Sequence, residues 1–345
     1  MTVPSTWQYA IELFRAANGD GKHEQLATVR VEPDWEPAAE AARFAALRRR
    51  PTAQVELGAE ESEIVPHWHE KLGRPYLDGV SAVVKDRDGD AVECRIASRY
   101  FKPLADQAAA GLIKSGKLAE GDAYRYLPSA YAQPPAVARS EGTAFSVEPL
   151  AQAISLQQRP LEEFLEHVTP YGEVVHSDVP VGIPNRVLEE TTELMKQAGE
   201  AETGGVLIGE LNYDPSGPEV IIQVTAQIHA RYAQGELTTL TFTADTWKDV
   251  DAAIALRGRD EIKLGWWHTH PARAWCSKCP AENRMNCPRS GEFFSSQDLA
   301  LHRTVFPRAY SIALVVSDSY AHGLTYPMFG WRDGLVERRG FYVLP

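Results

Sequence analysis

The stretch LGWWHTHP, residues 264–271, decides how the second half of this chain folds. Its apolar run, closed by Pro271, reads as a buried strand. The strand ends in His268 and His270, at i and i+2. Side chains two apart on a strand point the same way, so both imidazoles can reach one ion. Of the two indoles beside the first histidine, Trp266 and Trp267, one is expected to pack inward and the other to line a groove. Downstream lies FFSSQDLALH, residues 293–302, where Ser295 would cap a helix and Asp298 would fall in its first turn. Two neutral imidazoles and one carboxylate leave a fourth tetrahedral position open for water, the pattern of a catalytic rather than a structural zinc site. Neither half is specific alone. A second H-x-H, His67-Trp68-His69, is read as structural, and Ser-x-x-Asp is an ordinary helix start.

Working outward, residues 178–345 alternate between strand-like and helical runs. RVLEETTELMKQAGEA is helical, GGVLIGEL, EVIIQVTAQI and LTTLTFTA are strand-like, and WKDVDAAIALRG is helical again. YSIALVVSDS and YPMFGWRDGLVERRGFYVL close the chain as strands. Residues 1–130 read as a smaller α+β domain. Helices are expected over Trp7–Ala17, Glu36–Arg49 and Pro103–Lys114, with a hairpin around the DRDGD turn at Asp86–Asp90. That turn is not a calcium loop, because Ala91 and Ala97 fall where a glycine and a glutamate would be needed. Residues 131–177 are expected to be a linker and connecting helix. LPSAYAQPPAVARSEGT (127–143) is rich in Pro, Ala and Ser, and a helix interrupted at Pro160 follows over Val147–Val168. The fold class expected is α/β (α+β), with a mixed sheet flanked by helices in the C-terminal domain.

Composition bounds the function. The 345 residues carry a formal charge of −12 and a pI of about 5.4, which argues against a nucleic-acid binder, since that affinity comes from neutralising phosphates. Arg48-Arg49-Arg50 reads as a solvated helix end. No apolar run is long enough to span a membrane and the first residues do not resemble a signal peptide, so a cytoplasmic location is expected. No glycine-rich phosphate loop implies a nucleotide. Three of the four cysteines cluster, which points to metal rather than to a disulfide framework. Cys94, near a strand, is expected in a core.

Preceding the histidines is AETGGVLIG, residues 201–209. Glu202 with Gly-Gly-Val-Leu-Ile-Gly, then His268-Thr269-His270-Pro271, then Ser295-x-x-Asp298, together resemble the JAB/MPN metalloprotease family and its JAMM motif. The resemblance runs over residues 178–345 and is closest to the zinc-dependent deubiquitinase branch and its bacterial relatives. It implies that His268, His270 and Asp298 hold a catalytic zinc ion. Glu202 would be the general base that carries a proton from water to the leaving amine. Ser295 would donate to the carbonyl oxygen as it becomes an oxyanion. The implied reaction is hydrolysis of a peptide or isopeptide bond after the C-terminus of a ubiquitin-like protein, with no covalent intermediate. The implied partners are that protein, its conjugates, and E1- or E2-like enzymes. The compact form points to a bacterial ubiquitin-like conjugation system, as in phage defence. Two alternatives remain: a zinc amidohydrolase acting on a sulfur-carrier or small-molecule conjugate, and a non-catalytic MPN-type scaffold.

The departure from the family is ARAWCSKCPAENRMNCPRSGE, residues 272–292, inserted between two ligands of one ion. Loop-closure entropy grows only logarithmically, so such an insertion is tolerated if its ends stay together. Cys276, Cys279 and Cys287 offer three thiolates in a C-x-x-C arrangement, the makings of a second, structural zinc site. His302, one helical turn after Asp298, is the first candidate for its fourth ligand, with His322, Cys94 and Glu282 behind it.

Overall fold

A computed structural model describes residues 7–16, 24–52, 54–57, 61–71, 74–132, 152–231, 234–236, 239–287 and 292–345. The chain divides into two compact units: Met1–Ala46, Leu57–Ala151 and Asp333–Leu335 form the first, and Leu47–Glu56, Gln152–Arg332 and Val336–Pro345 the second. Both combine helices with strands, so the chain is mixed α/β.

The elements up to residue 132 are β1 (Trp7–Arg15), β2 (Gln25–Val31), α1 (Glu36–Arg49), β3 (Gln54–Leu57), β4 (Ser62–Lys71), β5 (Arg74–Lys85), β6 (Ala91–Ala97), α2 (Lys102–Lys114) and β7 (Tyr124–Ala132). In the first unit two antiparallel three-stranded sheets, ordered β2-β1-β7 and β4-β5-β6, share a core with α1 and α2 that includes Ile11, Leu13, Leu77, Val80, Ile96 and Phe101. The expected hairpin is β5–β6, closed by a turn in which the Asp86 carboxylate accepts from the backbone N–H groups of Asp88 and Asp90. Cys94 packs against the core, and burial, followed by the Asp333 charge, pushes its thiol up to about 12.

Two expectations fail here. Trp7–Arg15 is a strand paired on both sides, not a helix. Trp7, Ala10, Ile11 and Phe14 fit a helical repeat, but Tyr9, Ile11 and Leu13 fit a period of two, and these three line the core. Leu127–Ala132, expected to open the linker, is the end of β7, an edge strand that tolerates Pro128. Residues 133–151 of the expected linker and helix lie outside the described residues.

The second unit contains β8 (Gln152–Gln158), α3 (Leu161–Leu165), β9 (Thr169–Tyr171), β10 (Val181–Pro184), α4 (Asn185–Ala198), β11 (Gly204–Tyr213), β12 (Val220–His229), β13 (Gln234–Glu236), β14 (Thr239–Thr241) and α5 (Ala244–Arg257). It continues with β15 (Ile262–His270), α6 (Ala272–Trp275), α7 (Ala281–Arg284), α8 (Ser296–Val305), β16 (Ile312–Ser319), β17 (Gly323–Thr325), β18 (Met328–Arg332), β19 (Leu335–Arg339) and β20 (Phe341–Leu344). Residues 152–158, expected to be helical, form β8 because Ile154 and Leu156 are buried at a period of two between glutamines. β8 pairs with β11, so the stretch expected to be a linker supplies part of the main sheet.

That sheet is mixed, ordered β19-β18-β16-β15-β11-β12-β10-β20-β9, with β17 on β16, and β8 between β11 and β3. Its central pairs are β11 antiparallel to β12 and β15, and β15 parallel to β16. A parallel pair needs a crossover, and the crossover from β15 to β16 carries α6, α7 and α8. Whatever leaves the C-terminal end of β15 must therefore return past it, and ligands of α/β sheets collect at such ends. Among the described residues, no helix is long and apolar enough to cross a membrane.

Candidate metal centre

The apolar face of β15 fixes the site. Trp266, His268 and His270 alternate onto one face, and all three are buried. Trp266 packs with Phe306, Ala313, Val315 and Phe329, so the core anchors the strand immediately before the histidines. Trp267, on the opposite face, is equally buried and stacks near His229. Neither indole lines a groove, contrary to expectation. Gly205 makes room for Trp267: a Cβ there would lie 2.7 Å from the indole nitrogen and 2.3 Å from the Ile228 carbonyl oxygen.

Strand register brings Glu202 to the same end. Gly204 pairs with His268. The Thr203 N–H donates to Thr269 Oγ1 at 3.0 Å, and the Thr269 N–H donates to the Thr203 carbonyl at 2.9 Å. The Glu202 side chain, 7% exposed, then lies with Oε1 4.0 Å from His270 Nε2. Asp298 arrives from α8, whose capping box is complete. The Ser295 N–H donates to Asp298 Oδ2 at 2.7 Å, and Ser295 Oγ accepts from the Asp298 N–H at 3.1 Å. The cap holds the carboxylate in place, and Asp298 Oδ1 lies 3.5 Å from His268 Nε2.

The two imidazole Nε2 atoms are 3.1 Å apart, and one ligand atom from each of His268, His270 and Asp298 lies within 4.8 Å of the others. A tetrahedral zinc ion, with bonds of about 2.0–2.1 Å to nitrogen and oxygen, holds its ligand atoms about 3.3 Å apart. The observed separations bracket that spacing, so the donor set fits a small divalent cation. Burial pushes the His268 imidazole down to about 3. Burial and then the neighbouring His268 do the same to His270, against an opposing pull from Asp298. Both rings are therefore neutral, as ligands must be. Burial, followed by repulsion from Asp298, pushes Glu202 up to about 8.

Aromatic rings orient the imidazoles. Trp266 stacks on His268 with centroids 4.7 Å apart. Phe293 stacks on His270 at 4.5 Å, and Trp275 sits 5.9 Å from the same ring. The Nδ1 atoms of both histidines find no hydrogen-bond partner among the described residues. Phe293, Phe294 and Trp275 were not singled out as site residues in the sequence. Their position beside Ser295 and Cys276 was the available signal.

The structure also separates what the sequence joined. His302, expected as a fourth ligand for the cysteines, is fully buried and accepts from the Trp266 indole N–H through Nδ1 at 3.2 Å. Its ring packs against Phe294, Phe306 and Trp331. One helical turn after Asp298 does place it on the same side of α8, but that side faces the core. Of the insert, residues 288–291 lie outside the described residues. In the rest, the Cys276 thiol donates to the Cys287 sulfur at 3.1 Å. Burial and then the sulfurs of Cys287 and Cys279 push Cys276 up to about 11.

No family model and no curated protein matches this sequence. Among solved structures, the chain is similar to protein DSY2949 from Desulfitobacterium hafniense, at 18% identity and a TM-score of 0.31. That alignment covers 46% of this chain and 89% of the other, a likeness too low to carry an argument about function.

Proposed function

We propose that this chain is a zinc-dependent hydrolase of the JAB/MPN type that cleaves the peptide or isopeptide bond after the C-terminus of a ubiquitin-like protein. One observation carries the reading: Glu202, His268, His270 and Asp298, from three separate segments, converge at the C-terminal end of β15. Structural ion pairs do not need a buried carboxylate beside two neutral buried imidazoles. Hydrolysis with general-base help does.

His268, His270 and Asp298 would hold the ion, which when bound supplies Lewis acidity for the substrate carbonyl. Glu202 Oε1 takes the proton of the attacking water and delivers it to the leaving amine. Burial gives it more affinity for that proton than an exposed carboxylate has. Ser295 Oγ already accepts from the Asp298 N–H, so its own hydroxyl proton is free to donate to the developing oxyanion. Phe293 and Trp275 flank His270 and would screen the reacting bond from bulk water.

The test is cleavage of a ubiquitin-like protein fused through its C-terminal glycine to a reporter. The wild-type chain should cleave it, lose activity to a chelator, and recover with zinc. Glu202→Gln should keep its metal and lose at least about a hundredfold in rate, the scale of a general base. Cleavage that survives chelation, or a Glu202→Gln variant as active as wild type, would overturn the proposal.

A further inference from the structure

The inserted segment between the catalytic ligands has too little core of its own to explain its shape. Its two helices, α6 and α7, are four residues each. Of residues 272–287 only Ala272 and Cys276 are buried. Around them the chain is tied by polar contacts. Arg284 donates to the carbonyls of Cys279 and Ser277 at 2.9 and 2.7 Å. The Trp275 indole donates to the Glu200 carbonyl at 2.8 Å. Arg273 reaches Asp318 at 3.1 Å, and its guanidinium lies over the Tyr320 ring, as that of Arg284 does. These bonds are mostly at the surface, where each contributes little on its own.

At the centre sit thiols. The Cys279 N–H donates to the Cys276 carbonyl at 3.0 Å, folding the C-x-x-C into a tight turn. Cys287 returns from eight residues further on to place its sulfur 3.1 Å from that of Cys276. A disulfide needs about 2.05 Å between sulfurs. Zinc–sulfur bonds of about 2.3 Å at tetrahedral angles put two thiolates about 3.8 Å apart. Cys276 and Cys287 therefore need to open by about 0.7 Å to share an ion, a side-chain adjustment rather than a refolding.

We infer that Cys276, Cys279 and Cys287 form a second metal site, separate from His268, His270 and Asp298, which takes a zinc ion as thiolates and staples the insert. The site is structural: it ties the turn that follows Trp275 to Cys287, six positions before Phe293 in the sequence, and the rings of Trp275 and Phe293 flank His270. His302 plays no part, being committed to Trp266. The inference stands on the thiol geometry and does not require the hydrolase reading.

The experiment is cobalt substitution of the full-length chain, with sulfur-to-cobalt charge transfer as the readout, alongside metal content and intact mass under non-reducing conditions. Wild type should bind two equivalents of cobalt and show the charge-transfer absorption. Asp298→Ala should fall to one equivalent and keep that absorption in full. Cys279→Ser and Cys287→Ser should each lose most of it while keeping the equivalent held by the histidines. Absence of charge transfer in wild type, its loss in Asp298→Ala, or a mass two hydrogens light from a Cys276–Cys287 disulfide without metal would each overturn the inference. Should a cysteine variant fail to fold, the wild-type and Asp298→Ala spectra decide alone. Loss of this site with cleavage intact would leave the hydrolase proposal standing, and the converse result would leave this one.

Discussion

His302 offers a test of how the core supports the candidate metal centre. Its Nδ1 is the acceptor for the Trp266 indole N–H, and Trp266 in turn stacks on His268. In His302→Leu the apolar volume is nearly kept, but a buried donor loses its partner, which costs about 1–3 kcal/mol, offset in part because leucine also removes the buried His302 Nε2–H, which finds no partner among the described residues. At pH 7.5 the variant's unfolding free energy should therefore fall by up to that amount, read as a lower urea midpoint. The difference must depend on pH, because burial holds His302 at about 3 in the folded chain against 6.5 in the unfolded one. A base whose folded value is depressed contributes nothing adverse above its unfolded value; stability falls as the unfolded state takes up its proton below pH 6.5, down to about pH 3. Between pH 7.5 and 5.0 that linkage removes about 2 kcal/mol from the wild type and nothing from the leucine variant. His268 and His270 titrate in both proteins and cancel in the difference. The stability gap should thus close, or reverse, near pH 5. Urea unfolding followed by tryptophan fluorescence at the two pH values measures it. A gap that stays constant or widens on acidification would refute the assignment of His302 as a buried neutral acceptor.

Three further outcomes are expected. Ser295→Ala removes the cap of α8 and, on the proposed reading, the oxyanion donor; it should lower thermal stability by about 1 kcal/mol and cleavage by about a hundredfold or more, read by melting and by reporter release. Gly265→Ala would place a Cβ 1.8 Å from the Ile312 carbonyl oxygen, forcing β15 away from β16. At least about 1–3 kcal/mol of stability should go, with weaker zinc binding in a competition titration, since His268 is three residues on. Asp178 accepts from Arg332 at 2.5 and 2.7 Å and lies beside buried Arg339. Its own burial raises its pKa, but the two arginines outweigh that and hold it below the usual carboxylate value. Asp178→Ala strands the Arg339 charge, at a cost of about 3–5 kcal/mol. In the wild type this contribution is present above the usual carboxylate pKa and is lost as pH falls through the lowered one; an acid limb unchanged by the substitution would contradict the pairing.

The candidate site of the second unit was legible because its residues sit on secondary structure. The strand pattern of β15 and the capping signal at Ser295 each fixed the direction of a candidate ligand, and the resemblance joined them to Glu202. What could not be read was any position with two competing templates. Over residues 7–15 the helical repeat of Trp7, Ala10, Ile11 and Phe14 competes with the alternation of Tyr9, Ile11 and Leu13. Only the strands on either side, β2 and β7, decide between them. Residues 152–158 failed for the same reason, since Ile154 and Leu156 gain their burial from β11, a partner more than fifty residues away. The expectation that one of Trp266 and Trp267 lines a groove failed because the space Trp267 fills is made by Gly205 on another strand.

His302 shows a subtler limit. Helical spacing from Asp298 correctly predicted which side of α8 it shares, yet a helix that crosses over a sheet turns one side to the core for most of its length. Asp298 escapes full burial because it lies in the first turn, where the capping box with Ser295 holds it beside the C-terminal end of β15. A residue one turn later has already passed onto the sheet. Metal ligands drawn from a crossover helix should therefore be sought at its N-terminal turn, and a histidine further along should first be weighed as an acceptor for a buried donor. The same argument explains how a 21-residue insert, residues 272–292, can sit between two candidate ligands without moving either. His270 is fixed by pairing to β16 and Asp298 by its cap, so the chain between them is free to grow.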